Sequence, residues 1–299
     1  MTDTNLIEIF CIFDDFCKYF TPELKKHILQ VPGKRHRNRA SRMSDSEIMT
    51  ILVLFYTHRF RDLKSFYLDY ICQHMHGDFP HRLSYNRFVE WQAQVALHLL
   101  LFLQTCALGK CSGISIIDST PLASCHIKRE RQHRTMRGWA AKGKCTMGWF
   151  YGFKLHLIIN DRGEIIQWKL TPGNVDDREP LKDKRFTERL FGKLFADRGY
   201  ISQNLFEMLF VDNIHLVTNI KKNMKNSLMS LYDKLLLRKR SVIETVNDEL
   251  KNVCQIEHTR HRAFDNFATN LIAGLIAYNL LPKKPEMNIE IIDKSRVIA

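Results

Sequence analysis

"ISIIDST" (residues 114–120) and "LFADRGYIS" (194–202) decide how this chain reads. In each, a short apolar run stops at an aspartate: Asp118 after Ile114-Ser115-Ile116-Ile117, and Asp197 after Leu194-Phe195-Ala196. Short apolar runs rich in β-branched or aromatic residues and bounded by turn signals read as buried strands. An aspartate at a strand end has two common uses. It caps the turn that follows, or it faces a ligand, because ligand sites collect at strand ends in sheets with helical crossovers. Taken singly, each aspartate is more simply a cap.

Working outward, "MGWFYGFKLHLIIN" (147–160), the turn Asp161-Arg162-Gly163 and "EIIQWKLT" (164–171) read as a hairpin. "GNVDDREPL" (173–181) is a loop leading into a helix that runs to about residue 191; Asp176 and Asp177 could add a carboxylate that supports a site, and capping that helix ahead of Pro180 is the simpler use. "KLFAD" (193–197) is a strand, "SQNLFEMLF" (202–210) a helix and "IHLVTN" (214–219) a strand. A long helix over 240–254 and an apolar helix over 264–281 follow. A hairpin followed by alternating helices and strands predicts an α/β fold, a mixed sheet with helices on its faces. The first hundred residues read as all-helical, with a Ser44-Asp45-Ser46-Glu47 capping box ahead of "IMTILVLFY". The predicted organisation is a helical N-terminal region (1–110), an α/β domain (111–281) and a loose tail (282–299).

A third acid joins the two aspartates. In "RSVIETVNDELK" (240–251), at about 100° per residue, Arg240, Glu244 and Lys251 fall on one side of a helix, with Val242, Val246 and Leu250 on the other. By itself that is a solvated face with an i,i+4 ion pair. Three carboxylates gathered together would instead suit Mg²⁺ or Mn²⁺, which take hard oxygen ligands. Two such ions can activate the attacking oxygen and stabilise the leaving one in phosphoryl transfer.

The charge of the chain points the same way. Net charge is +13 over 299 residues. Three segments carry it: 33–42 has five basic residues and no acid, while 128–144 and 219–240 have seven basic and one acidic residue each. The remainder is net negative, so the basic charge is grouped as a polyanion such as nucleic acid requires. In the long connection 119–147, Lys128, Arg129, Arg131, Arg134, Arg137, Lys142 and Lys144 accompany Trp139, a side chain able to stack on a base. That connection is either a DNA-gripping loop or a surface excursion.

Eight cysteines occur without a CxxC pair, and no signal peptide is read, which predicts reduced thiols. Cys125, His126 and Cys145 match no zinc-finger spacing. The longest apolar runs, near 48–56, 95–103 and 271–281, are too short to span a bilayer, so no membrane partner is expected.

"IIDST", "ADRGY" and "RSVIETVNDELK" together resemble the DDE transposases of bacterial insertion sequences, most nearly the insertion-sequence-982 family. The resemblance implies an RNase H-like catalytic domain with Asp118, Asp197 and Glu244 as its catalytic, metal-binding triad. It also implies two Mg²⁺ (or Mn²⁺) ions, cleavage at terminal inverted repeats and transfer of the freed 3′-hydroxyl into target DNA. The related signature Tyr-x2-Arg-x3-Glu-x6-Lys is met at Arg240, Glu244 and Lys251, with Leu237 in the tyrosine position. Arg240 and Lys251 would then contact DNA phosphate near the cut. A bacterial cytoplasmic enzyme, bound to the nucleoid when on DNA and acting as a homodimer or larger assembly, is the corresponding expectation. Tyr200 would either support the turn after Asp197 or stack near DNA.

Overall fold

The computed structural model describes residues 3–27, 41–58, 60–146, 148–219, 229–257, 261 and 263–288. Most of the basic run 33–42 and the centre of 219–240 lie outside these. In chain order the elements are α1 (Asp3–His27), α2 (Asp45–Thr57), α3 (Leu63–Ser65), α4 (Tyr85–Phe102), β1 (Ile114–Cys125), β2 (Ala141–Cys145), β3 (Gly148–Asn160) and β4 (Ile165–Pro172). Then come α5 (Lys184–Thr187), β5 (Gly192–Ala196), α6 (Gln203–Val211), β6 (Ile214–Thr218), α7 (Leu231–Lys239), α8 (Val242–Asp248) and α9 (Phe264–Asn279). Wider π-helical turns extend three of the helices: Phe66–His74 after α3, Leu103–Ala107 after α4 and Glu249–Val253 after α8.

The chain packs as two compact units. One comprises residues 1–107 and 249–280 and is helical among the described residues. Its α2 begins with the capping box read from sequence: the Ser44 hydroxyl accepts from the Glu47 amide at 3.1 Å, and the Glu47 carboxylate accepts from the Ser44 amide at 2.6 Å. Every α2 side chain from Ser46 to Tyr56 is buried except that of Glu47, which explains an apolar run too continuous to show one wet face.

The other unit, residues 108–248 and 281–299, carries the sheet. Its order is β2-β3-β1-β5-β6, with β4 also on β3. β1 pairs antiparallel with β3 and parallel with β5, and β5 pairs parallel with β6. β2 and β4 share the outer edge of β3, since β2 pairs with its residues 148–152 and β4 with 153–159. This is the mixed sheet with helices on its faces expected from the sequence. One face is apolar and packs on α5 and α6: Ile117, Ile158, Leu194, Ala196, Ile214 and Leu216 meet Phe186, Leu205 and Leu209. Burying a large apolar side chain of this kind contributes about 1.5–3 kcal/mol. The opposite face of β1 receives α8.

Four readings change. The helix expected to run from the 173–181 loop to about residue 191 is a 3-10 turn, Glu179–Lys182, followed by the short α5, which Asp183 caps in place of Asp176 or Asp177. The connection after Asp118 is not a long loop, because β1 continues to Cys125, a 3-10 turn covers Ile127–Gln132, and β2 closes on β3. The strand keeps going because Pro121 and the polar Ser119 and Thr120 still pair with β3. The helix predicted over 240–254 is α8 followed by a π-helical turn. Finally, the described part of the tail is docked. Met287 is buried and its amide donates to the Asp161 carbonyl at 2.8 Å, while Lys239 Nζ donates to the carbonyls of Met287 and Asn288 at 2.7 and 2.6 Å.

Candidate active site

The β1–β5 ladder pairs Ile114 with Lys193, Ser115 with Leu194 and Ile116 with Phe195, and ends there. Asp118 lies two residues past Ile116, and Asp197 two past Phe195. Side chains alternate along a strand, and neighbouring strands lie about 4.8 Å apart. The two aspartates therefore stand level where the strands part, on the face of Ile116 and Phe195. That face is opposite the core cluster of Ile117, Leu194 and Ala196.

Local chemistry sets each carboxylate. Asp118 remains within β1, opposite Leu157 of β3. Its pKa is raised to about 6, chiefly by burial. The Ser119 amide and the Arg240 guanidinium pull it down, and the negative charges of Asp197 and Glu244 push it up. Asp197 ends β5 and caps the short 3-10 turn Arg198–Tyr200, its Oδ1 accepting from the Gly199 amide at 2.8 Å. A β-carbon at residue 199 would stand 3.0 Å from that oxygen, so glycine serves here by close approach.

α8 supplies the third acid. Ile243, Val246 and Asn247 are buried, while the Glu244 side chain is 62 % exposed. Arg240, just ahead of α8, donates from Nη2 to Glu244 Oε1 at 3.3 Å. Asn247, one turn on from Glu244, donates from Nδ2 to Asp118 Oδ2 at 3.1 Å. Sequence reasoning missed this asparagine, although its i+3 spacing from Glu244 was a usable signal. The three acids thus act on one another electrostatically around Asp118. Among the described residues, however, no three His, Cys, Asp or Glu side chains close on a common metal position. Glu244 is turned to Arg240 and Asp197 to its own turn. The donor set is nonetheless chemically right for Mg²⁺ or Mn²⁺, being all carboxylate.

Lys251 belongs to the helical unit, where Nζ pairs with Glu257 Oε2 at 3.4 Å. Because Glu249–Val253 is π-helical, the 100° wheel that aligned Lys251 with Arg240 and Glu244 does not extend to it. Leu237 is buried. Lys128, Arg129, Arg131, Arg134, Arg137, Trp139, Lys142 and Lys144 are all exposed. Trp149 is a further exposed aromatic, 57 % accessible, with Lys142 and Lys144 Nζ 4.9 and 5.8 Å from its ring centroid. It lies directly opposite Lys144 across β2 and β3, a pairing the sequence did not disclose. Tyr200 is 2 % exposed and is therefore not positioned to stack on DNA; it supports the turn.

Cys125 and Cys145 are free thiols, and no metal cluster involving them occurs among the described residues. No helix among the described residues is long and apolar enough to cross a membrane.

A family model described as "Transposase DDE domain" matches residues 108–264, more than half of the chain. No curated protein matches. Among solved structures, the chain overlaps a piggyBac transposase synaptic complex with hairpin DNA, at 12 % identity and a TM-score of 0.48, covering 92 % of this chain and 72 % of that one. It overlaps a Mos1 transposase paired-end complex with the left transposon end at 14 % identity and a TM-score of 0.21, covering 68 % and 66 %. The family match is what carries weight; overlaps at these scores add nothing to it.

Proposed function

This chain belongs to the DDE transposase domain family, and from that premise we propose that Asp118, Asp197 and Glu244 form the catalytic site of a DNA transposase and hold its divalent ions. Transposases of this family use divalent metal ions; Mg²⁺ or Mn²⁺, as a pair, is the assignment the three carboxylates favour. The observation that carries it is the level placement of Asp118 and Asp197 at the fork of β1 and β5, with α8 bringing Glu244 into electrostatic reach of Asp118.

When bound, such ions make an oxygen nucleophile reactive and stabilise the leaving oxygen. The chain's own residues do the rest. Asn247 orients Asp118 through Oδ2, and Arg240 holds Glu244 until a phosphate competes for the guanidinium. The exposed cations of 128–144 bind the DNA backbone, with Trp139 and Trp149 offering stacking surfaces beside them. Lys251 is a further phosphate contact on this reading. Cleavage at terminal inverted repeats by water, then joining of the 3′-hydroxyl to target DNA, are both in-line displacements at phosphorus, so one site serves both.

The motif around Arg240, Glu244 and Lys251 supports membership of the insertion-sequence-982 family. The helical region 1–110 would recognise the element ends or hold subunits together, ahead of a catalytic region 111–281 and the tail 282–299. Two ends to be paired call for a homodimer or larger assembly on DNA, in a bacterial cytoplasm and on the nucleoid. The test is direct. The chain is incubated with Mg²⁺, a labelled duplex bearing the inverted repeats that bound its coding region, and a target plasmid. Joined product is expected, and cleavage without joining would instead identify a nuclease.

A further inference from the structure

A second polar group lies on the reverse side of the sheet from the acidic residues. In β1, Ser119 faces opposite to Asp118, and β3 places Lys154 and His156 on the Ser119 face. Asp177, in the loop after β4, accepts at one oxygen, Oδ1, from both Ser119 Oγ at 2.8 Å and Lys154 Nζ at 2.9 Å. Lys154 Nζ also donates to the Val175 carbonyl at 2.9 Å, and its side chain is only 13 % exposed. His156, wholly buried, pairs through Nε2 with Thr171 Oγ1 at 2.8 Å. From the β5 side, the buried Tyr200 packs in the same cluster as Ile117 and Ala196, the residues immediately before the two aspartates.

With the Lys154 side chain mostly buried but that of Asp177 37 % exposed, this pair is a poor source of stability. What such a group does supply is fixed geometry. That is needed at this place, because the β1–β5 ladder ends at Ile116 and Phe195, two residues before the aspartates. No β1–β5 backbone ladder holds Asp118 level with Asp197.

We infer that Ser119, Asp177 and Lys154, seated against Tyr200, form a brace behind the sheet that sets the separation of Asp118 and Asp197. These are positioning residues: they touch neither substrate nor ion and act through the two strand ends. The inference rests on the assignment of Asp118, Asp197 and Glu244 as the ion-binding acids.

Four variants of the full chain test it: Ser119→Ala, Ser119→Thr, Asp177→Asn and, as a control on the same part of the molecule, Asp183→Asn. The control breaks the more exposed Lys169–Asp183 pair, 2.6 Å apart. Single-turnover cleavage of the end-bearing duplex is measured against Mn²⁺ concentration, alongside DNA affinity by anisotropy and melting temperature. Ser119→Ala and Asp177→Asn should slow cleavage, or raise the Mn²⁺ half-saturation, by about tenfold to a hundredfold. DNA affinity should hold within about twofold, since it comes mainly from basic contacts. Ser119→Thr, which keeps the hydroxyl, should restore most of the loss, and Asp183→Asn should behave as wild type. If Asp177→Asn does not fold, the Ser119 pair decides, because it leaves Lys154 and Asp177 together. Wild-type rate and Mn²⁺ dependence in Ser119→Ala, or an equal loss in Asp183→Asn, would overturn the brace. Asp118→Asn, run in parallel, separates the two levels. If it is inactive while the brace variants are normal, only the brace is wrong; if it cleaves, the assignment of the acids falls as well.

Discussion

Asp118 is a carboxylate held in a place that disfavours its charge. Its proton is retained up to about pH 6 in the folded chain, against an ordinary value of 3.8. Between those values the folded state binds more proton than the unfolded state, so this group subtracts stability as pH rises through the window and adds no further change above it. In chelator-treated protein, Asp118→Asn should therefore melt higher than wild type at pH 7, and the gap should close towards pH 4. A melting series across pH in EDTA measures this, and a gap independent of pH would refute it. The same substitution should abolish cleavage while DNA affinity changes little. At Gly199 the prediction is steric. Gly199→Ala crowds Asp197 Oδ1 and should lower cleavage at least several-fold with little change in melting temperature. Asp118 and Asp197 were legible in the sequence because each ends an apolar run. Asn247 and Trp149 were not, because one is recognised only by what it donates to and the other only by the lysines across the hairpin.

At the scale of elements, strand alternation and turn residues located β3, β4, β5 and β6 and the start of β1 to within a few residues. β2 escaped because "AKGKC" has no apolar alternation; it is a strand because β3 is long enough to pair with it. The π-helical turn at Glu249–Val253 escaped for a related reason, since a continuous helical wheel carries no mark of a widened turn. The exposed run from Lys128 to Lys144 makes its prediction at this scale. Replacing four of its cations by alanine should reduce the slope of log affinity against log salt by up to about 0.9 for each phosphate no longer neutralised. Anisotropy at several salt concentrations reads it, and an unchanged slope would remove this segment from the DNA interface. Ile117→Ala, in the core behind the site, should cost about 2–5 kcal/mol of stability, read by denaturant unfolding.

The whole molecule joins a net charge of +13 to a sheet unit and a helical unit. Composition and charge grouping suggested a nucleic-acid enzyme, and the mixed sheet was inferred correctly because a hairpin followed by helix–strand alternation permits few topologies. What the sequence could not show is which non-adjacent stretches share a packing unit, since that depends on residues far apart in the chain meeting in space. The docking of Met287 and Asn288 is one such case. Truncation after Pro282 removes the hydrogen bonds that Lys239 and Asp161 make with that stretch and should lower the melting temperature by several degrees; an unchanged melt would show them to be idle.

The three-rung pairing of β1 with β5 has a consequence for how this gene can vary. Losing or gaining one codon within 114–117 or 193–196 would rotate the aspartate that follows to the far side of the pleat, among leucines and phenylalanines. A lineage can tolerate added or deleted residues in the stretch between Gln132 and Ala141 without disturbing that parity. Length polymorphism in the two short strands should therefore mark copies that no longer move.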